Sequence, residues 1–313
     1  MASKLQKKII ILLSTYNGQN YLPEQIESIV KQDIRYNDDY AIEILARDDG
    51  SSDDTVRLLE KYADVINIAV ISGKNIGPAR SFWALLQNAP DADYYAFCDQ
   101  DDVWFEDKLS RAIEELEKHD STIPQLYCSD VIWVNKKLKP LDVQPSGKKY
   151  TDFPHSLLYS LSPGCTFVFN QSAAEMARKY DMDKEYVTIH DWLLHKIVAM
   201  TGEVHYDPEP SMYYRQHGGN VIGAKNEGIR GIPERAKRFL TSSECVRSNT
   251  AKSLQRVYRS YLISHPEKKY YVDLVANYQE SLRDRSSFLK ECRFKRGIGS
   301  STVLTILTAL GKI

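Results

Sequence analysis

Asp99-Gln100-Asp101-Asp102 follows directly on the apolar run Tyr94-Tyr95-Ala96-Phe97-Cys98 and precedes Val103-Trp104. Three carboxylates within four residues, at the end of what reads as a buried strand, repel one another unless a cation or hydrogen-bond donors offset the charge. A divalent metal on a phosphate ligand does this readily, because hard cations take carboxylate and phosphate oxygens together. The competing reading is a solvated turn with one Asp capping the next helix. Three more polar loops follow apolar runs: Ser14-Thr15-Tyr16-Asn17, Asp48-Asp49-Gly50-Ser51 and Lys74 to Arg80. Turn-type residues after strands are common, yet together these loops supply a stacking aromatic, two acidic clusters and basic side chains. Such a set suits a nucleoside diphosphate. Tyr16 can stack on a base, a carboxylate such as Asp49 can accept a pyrimidine imide N–H, and Arg80 or Lys74 can approach the phosphates. Asp101 can hold a metal across both phosphates and draw charge from a departing diphosphate.

The elements that must position these loops alternate between β-type runs and helical periodicity through the first two thirds of the chain, which predicts an α/β fold with a parallel or mixed sheet. Strands are expected at Lys8–Leu13, Ala41–Ala46, Val65–Ile71, 94–98, 125–129, Gly164–Phe169, 203–207 and 211–216. Helices are expected around Leu22–Val30, Thr55–Tyr62 (with Ser52 or Asp53 as N-cap), 79–88, Leu109–Leu116, Gln171–Tyr180 and Asp191–Met200. In open sheets of this kind ligands bind beyond the carboxyl ends of the strands, where the four polar loops fall.

Composition narrows the class. The chain has 313 residues, enough for one large α/β domain plus an appended piece, and 42% hydrophobic residues, enough for a proper core. Five dispersed cysteines without a C-x-x-C pair argue against a disulfide framework or zinc site and for a reducing compartment. The first apolar run ends after five residues at Ser14, too short for a signal peptide or membrane span, so a cytoplasmic chain is expected. The formal net charge of −1 conceals a basic C-terminal part: from Lys225 onward there are 18 Lys+Arg against 8 Asp+Glu, and before it 23 against 34.

Ser-Thr-Tyr-Asn after the first strand, Asp-Asp-Gly-Ser-Ser-Asp after the second, Asn-Ile-Gly and Asp-Gln-Asp-Asp resemble glycosyltransferase family two, with its GT-A nucleotide-sugar-binding fold. His190-Asp191-Trp192 and Tyr214-Arg215-Gln216-His217-Gly218-Gly219-Asn220-Val221 resemble the branch that adds rhamnose to bacterial cell-surface polysaccharides. The resemblance runs from about Ile9 to Gly223 and leaves the tail uncovered. It implies a Rossmann-like, mixed, mostly parallel sheet flanked by helices. Ser14, Tyr16 and Asp49 would line the nucleobase pocket, with Asn17 and Asn75 from the same motifs and Arg80 near the phosphates. Asp99 would lie by the ribose, and Asp101 would bind a divalent metal, Mn2+ or Mg2+. His217 would complete the metal shell, Arg215 would pair with the diphosphate, and Asp191 would be the general base. His190 stands where many relatives carry an acidic residue, leaving Asp191 the only carboxylate of its pair.

An inverting transfer needs one carboxylate to take the proton of the attacking hydroxyl and no enzyme-bound sugar, so Asp191 is chemically sufficient. The plainer alternative is a helix cap, and the two roles are compatible. His217 has its own alternative, a surface residue in a glycine-flanked loop. Trp104 and Trp192 read as core packing, and His195 as a satisfied helix residue.

These readings lead to residues 1–224 as a catalytic domain and 225–313 as a basic, tyrosine-bearing helical extension for membrane association or oligomerisation. Charge alone gives no nucleic-acid motif. The expected reaction moves a sugar, L-rhamnose from dTDP-rhamnose being favoured, to a hydroxyl of a polyprenyl-diphosphate-linked saccharide. The rivals are a UDP-hexose-dependent relative and a non-catalytic nucleotide-sugar-binding scaffold. A sugar-1-phosphate nucleotidyltransferase would want a glycine-rich first loop, and a haloacid-dehalogenase-type phosphatase an early Asp-x-Asp; neither is present.

Overall fold

The computed structural model describes residues 6–143, 149, 151–217 and 245–294. Eight strands form one sheet in the order β3-β2-β1-β4-β7-β6-β8-β5. The amino-terminal half is a βαβ arrangement: β1 (Lys7–Thr15), α1 (Leu22–Val30), β2 (Tyr40–Asp48), α2 (Thr55–Tyr62), β3 (Ile68–Ser72), α3 (Pro78–Asn88) and β4 (Tyr94–Asp99). Here β1 pairs in parallel with β2 on one side and β4 on the other, and β2 pairs in parallel with β3. The strand order therefore reverses direction between β1 and β4, the place where such sheets open a crevice at their carboxyl ends. Register fixes what meets there: Ser14 lies opposite both Arg47 and Asp99, and Thr15 opposite Asp48.

Helices cover the sheet because their sequences carry one apolar stripe each. Leu22, Ile26 and Ile29 of α1 are fully buried against Ile9, Ile11 and Leu13 of β1, each worth about 1.5–3 kcal/mol of transfer free energy. Residues Tyr94 to Cys98 of β4 are all buried, as befits a strand with both faces covered.

The second half departs from a purely parallel plan. A two-residue strand β5 (Val103–Trp104) follows the acidic turn, then α4 (Lys108–Leu116), β6 (Gln125–Asn135), α5 (Phe153–Ser156), β7 (Val168–Asn170), α6 (Gln171–Arg178), α7 (His190–Thr201) and β8 (Glu203–Gln216). Strand β7 runs antiparallel to both β4 and β6, β8 runs parallel to β6, and β5 pairs antiparallel with β8. The strand expected at 125–129 runs on to Asn135, and the one expected at Val65–Ile71 is Ile68–Ser72. Gly164–Phe169 is a 3-10 turn over Gly164–Thr166 followed by the short β7. The strand pieces at 203–207 and 211–216 are one strand: Pro208 and Pro210, which read as breaks, are absorbed as register shifts opposite Ser129 to Ile132. The helix Thr55–Tyr62 starts where expected, but its N-cap is Asp54 rather than Ser52 or Asp53; Asp53, one residue earlier, accepts the Thr55 N–H at 3.1 Å.

A second compact unit holds Phe153–Tyr159, Asp183–Thr188 and the C-terminal helices, while the remaining described residues form the sheet unit. The expected boundary at 224/225, like Arg235, Lys237, Arg238 and the apolar stretch from Gly297, lies outside the described residues. The helices are α8 (Val246–Val257), α9 (Arg259–Ser264), α10 (Pro266–Asn277) and α11 (Leu282–Phe294). Leu254, Val272, Val275, Ala276 and Phe288 form their core, and Ser248 Oγ donates to the Ala276 carbonyl at 2.8 Å. Arg247 donates to the Leu158 carbonyl, Arg256 pairs with Glu185, and Lys269 pairs with Asp273. At those positions the tail's positive charge serves packing within the unit. No helix among the described residues is long and apolar enough to cross a membrane.

Candidate active site at the strand reversal

The acidic turn lies at the carboxyl end of β4, and long-range pairing closes on it from two sides. Because β5 pairs with the far end of β8 (Val103 with Tyr213, Trp104 with Met212), the residues after Met212 return to the carboxylates. His217 Nε2 lies 2.6 Å from Asp101 Oδ2, so the two expected metal ligands touch. Because β7 runs antiparallel to β4, the turn that precedes it, Gly164–Thr166, also faces this end of the sheet, bringing Cys165 beside Asp99 and Asp102.

Burial dominates the electrostatics. It pushes Asp99 up to about 8, with Asp101 and Asp191 adding like charge, and it raises Asp102 well above the carboxylate range, with Asp101 and Asp99 adding to it. Gly164, in the turn that precedes β7, donates its N–H to Asp191 at 3.0 Å, which brings the start of α7 to the same end of the sheet. Asp102 Oδ1 accepts the Arg215 N–H at 3.0 Å, whereas its buried Oδ2 has no hydrogen bond and the Cys165 thiol lies beside it. The Cys165 thiol is itself held protonated by burial and by Asp102 and Asp99.

This cluster fits a hard divalent cation: three acids that cannot all ionise together, one of them with an orphaned oxygen. Ligand atoms of Asp99, Asp102 and Cys165 lie within 4.8 Å of one another. A protonated thiol is a poor ligand for a hard ion, so the Asp101–His217 pair offers the better donor set.

Asp191 occupies the first turn of α7 and is 6% exposed. Its Oδ1 accepts the Trp192 N–H at 2.7 Å and its Oδ2 the Gly164 N–H at 3.0 Å. Burial pushes its pKa up to about 6, with those two N–H groups opposing the rise. A helix N-terminus favours the ionised form over the neutral one, and a carboxylate with two bonds still offers free lone pairs. Gly164 permits this approach: a Cβ there would sit 2.7 Å from Asp191 Cβ and 2.9 Å from His190 Nε2. His190 is stacked on Phe82 with centroids 4.1 Å apart, its ring nitrogens buried without hydrogen bonds, and burial lowers it to about 3. It is a neutral packing residue. His195, expected to be satisfied, is 1% exposed with neither ring nitrogen hydrogen-bonded, and it too is held neutral.

The nucleotide-binding expectations divide. Tyr16, at the end of β1, is 47% exposed, while its backbone N–H and carbonyl are both bonded to the Gln100 amide (2.8 and 2.9 Å), leaving a fixed backbone and an open ring. Ser14 Oγ pairs with Ser81 Oγ at 2.7 Å. Asn75 is exposed, and its Oδ1 accepts the Gly77 N–H. Arg80 is half-buried at the start of α3. Asn17 takes up a positive φ of 47° and binds the second loop, its Oδ1 accepting Ser52 N–H and its N–H donating to Ser51 Oγ.

Two expected ligand contacts are already engaged within the protein. Asp49 is 3% exposed; its oxygens accept from Arg47, Ile76 N and Gly77 N, so it holds the Asn75–Gly77 loop down. Arg215 is 1% exposed, donating to the carbonyls of Asp101 (2.7 Å) and Lys136 (2.8 Å) and pairing with Glu24, with its guanidinium over the Tyr21 ring. Arg215 thus clamps the acidic turn to β8 and α1.

Arg47, Gln100 and Gly164 matter here without having been singled out. Arg47, a lone cation at the end of a buried strand before two acids, carried a signal. Gly164 carried only that of a glycine after proline, because its role depends on α7, 27 residues away.

The Glycosyl transferase family 2 model matches residues 10–176. The dTDP-rhamnosyl transferase RfbG of Shigella flexneri is 30% identical over 231 residues, 68% of this chain and 74% of RfbG. The poly(ribitol-phosphate) beta-N-acetylglucosaminyltransferase TarS of Staphylococcus aureus is 26% identical over 159 residues, 50% of this chain and 26% of TarS. In structure, S. aureus TarS 1-349 in complex with UDP gives a TM-score of 0.55 at 17% identity, covering 97% of this chain and 88% of that one. The mannosyltransferase PcManGT from Pyrobaculum calidifontis, in complex with GDP-Man and Mn2+, gives 0.50 at 16% identity, covering 98% and 81%. At such identities the structural likeness concerns the GT-A fold alone. With a family match over more than half its length and a 30%-identical relative aligned over two thirds of it, the chain belongs to glycosyltransferase family 2.

Proposed function

We propose that this family-two glycosyltransferase moves L-rhamnose from dTDP-rhamnose to a hydroxyl of a lipid-linked saccharide, with inversion, and that Asp191 is the base. The observation that carries the chemistry is the position of Asp191: a carboxylate with a pKa near 6, fixed by Gly164 and Trp192 N–H groups and close enough to Asp99 to raise it. The acceptor oxygen forms its bond to the anomeric carbon as the bond from that carbon to the diphosphate oxygen breaks. The acceptor proton passes to Asp191, and the diphosphate leaves with the bonding electrons. The similarity to RfbG favours rhamnose.

For the donor, the open Tyr16 ring supports stacking on the base, with Ser14, Asn17 and Asn75 around it and Arg80 toward the phosphates. Asp49 supports the pocket by holding the Asn75–Gly77 loop rather than by meeting the base. Asp99, whose carboxyl is raised by burial and by the like charges of Asp101 and Asp191, would meet the ribose end of the donor. Asp101 and His217 would hold Mn2+ or Mg2+, which supplies charge neutralisation for the departing diphosphate. Arg215 keeps the turn in place. Peripheral membrane contact by the C-terminal unit and action in the cytoplasm belong to the same reading, the latter supported by the buried thiols of Cys98, Cys128 and Cys165.

A panel of nucleotide sugars with Mn2+ or Mg2+, read by binding and slow donor hydrolysis, tests the reading. Preference for dTDP-rhamnose is expected. Preference for a UDP-hexose overturns the rhamnose assignment, and binding without hydrolysis or transfer to any acceptor favours a scaffold.

A further inference from the structure

At the opposite end of β8 from Arg215, two histidines and two glutamates converge. Glu115 and His119 lie one turn apart at the C-terminal end of α4, where the His119 N–H still bonds to the Leu116 carbonyl, so both side chains leave the same face. Glu203 and His205 alternate on one face of β8. The imidazoles of His119 and His205 stack with centroids 4.0 Å apart and planes 27° apart. Glu115 Oε1 is 3.4 Å from His119 Nε2, and Glu203 Oε2 is 3.4 Å from His119 Nδ1 and 3.9 Å from His205 Nε2. Ligand atoms of Glu115, His119 and His205 lie within 4.8 Å of one another.

We propose that Glu115, His119 and His205 bind one Zn2+-like divalent cation, a site separate from that of the sugar-transfer chemistry. Metal bonds of about 2.0–2.1 Å in a tetrahedron set neighbouring ligands roughly 3.3 Å apart, close to the spacing already present between Glu115 and His119. Two imidazole nitrogens with one carboxylate select a borderline ion such as zinc over Mg2+. His205 Nε2 is buried with no hydrogen bond, an uncommon state for an imidazole on a surface rich in partners. Glu203 completes the arrangement from outside: with the metal on His119 Nε2, its carboxylate accepts from Nδ1–H and fixes the tautomer, the usual partner of a ligating histidine. Glu115 and His205 also border a cleft of about 530 Å³, onto which a fourth, water-filled position would open.

The site ties the end of α4 to β8, two segments some 90 residues apart in sequence. Its separation from the acidic turn follows from strand geometry: ten residues of β8 divide His205 from Arg215, roughly 30 Å at about 3.3 Å per residue. Each ion can therefore be removed without touching the other's ligands.

The test uses tag-free, metal-stripped, full-length protein titrated with Zn2+ by calorimetry and with Co2+ by visible absorption. In Asp101→Ala protein, which removes the acidic-turn site, one equivalent is expected to bind, with the ligand-field bands of imidazole-coordinated Co2+ and a rise in Tm with Zn2+; the glutamate and histidine variants are compared in that background. His205→Gln and Glu115→Gln each weaken binding at least tenfold, and His119→Gln with His205→Gln abolishes both the bands and the Tm rise. No binding by the Asp101→Ala protein, or binding unchanged when both histidine changes are added to it, would overturn the proposal. Far-ultraviolet circular dichroism confirms that each variant is folded, so a lost signal reports on ligands.

Discussion

Gly164→Ala adds a single methyl group at the point where the Gly164 turn meets the first turn of α7, and its consequence can be worked out from the contacts. The new Cβ would lie 2.7 Å from Asp191 Cβ, 2.9 Å from His190 Nε2 and 3.3 Å from Asp191 Cγ. Carbon atoms settle at about 3.5–4.0 Å, so the two segments must separate by roughly 0.8 Å or more. Asp191 cannot swing away without giving up the Gly164 and Trp192 N–H groups, and His190 is wedged against Phe82 and Phe97. Overpacking of this kind costs about 1–3 kcal/mol of stability. A base displaced by about an ångström from its productive position loses about 10²-fold in rate. Of the residues proposed to hold the donor, Ser14, Tyr16, Asn17, Asn75 and Arg80 belong to the end of β1 and the start of α3, and Asp99 is the one that feels Asp191, so donor Kd should change less than threefold. Single-turnover transfer, donor titration and thermal melting separate these effects. A folded Gly164→Ala protein that transfers sugar within twofold of the parent rate would refute the argument that the Gly164 turn positions Asp191.

Other outcomes follow from the same geometry. The rate at limiting substrate should rise with pH through about 6 and then level, because burial raises Asp191 and only its ionised form takes a proton; a profile flat from pH 5 to 8 removes Asp191 as the base. The raised pKa also means that ionising Asp191 opposes folding: its stabilising contribution is full below about 4 and is lost as pH rises through 6, a difference of about 3 kcal/mol at most. Asp191→Asn should therefore abolish transfer, keep donor binding, and melt at or above the parent temperature at pH 7.5, whereas a large drop in Tm would assign Asp191 a mainly structural role. Arg215→Ala should lower stability by about 2–4 kcal/mol, since it removes three guanidinium contacts and uncovers a buried turn; a purely catalytic defect with unchanged Tm would contradict the clamp. Asp101→Ala should cost at least tenfold in Mn2+-dependent donor affinity and His217→Ala less, measured by donor titration with and without metal.

Much of this architecture was legible because local signals and global fold agree. The runs at Ile9–Leu13 and Tyr94–Cys98 could only be buried strands, and the loops after them had to fall at the crevice of a wound sheet. What could not be read was pairing. Nothing local says that β7 runs antiparallel to β4, yet that reversal brings Gly164 to Asp191. Asp49 and Arg215 look like ligand contacts in sequence because carboxylates and guanidinium groups are chemically versatile; only their neighbours, Arg47 for one and Glu24 with the Lys136 carbonyl for the other, show that their bonds are already made. The proline-containing stretch of β8 misled for a related reason: a register shift in the partner strand absorbs residues that would interrupt a regular ladder.

The Arg215 clamp also bears on the order in which the molecule can be assembled. Its bonds to Asp101 and Asp102 span 114 and 113 residues, and β6 finds β8 only after α5, β7, α6 and α7 have been made. Non-local closures of this kind fold late and slowly. A chain emerging during synthesis therefore carries its most self-repelling segment, Asp99 to Asp102, without its counterweight until residue 217 has left the ribosome. Fragments ending short of that point keep β1 to β4 and the donor loops in sequence, yet lack the means to hold the acids together, so the shortest truncation that still binds a nucleotide should end beyond His217.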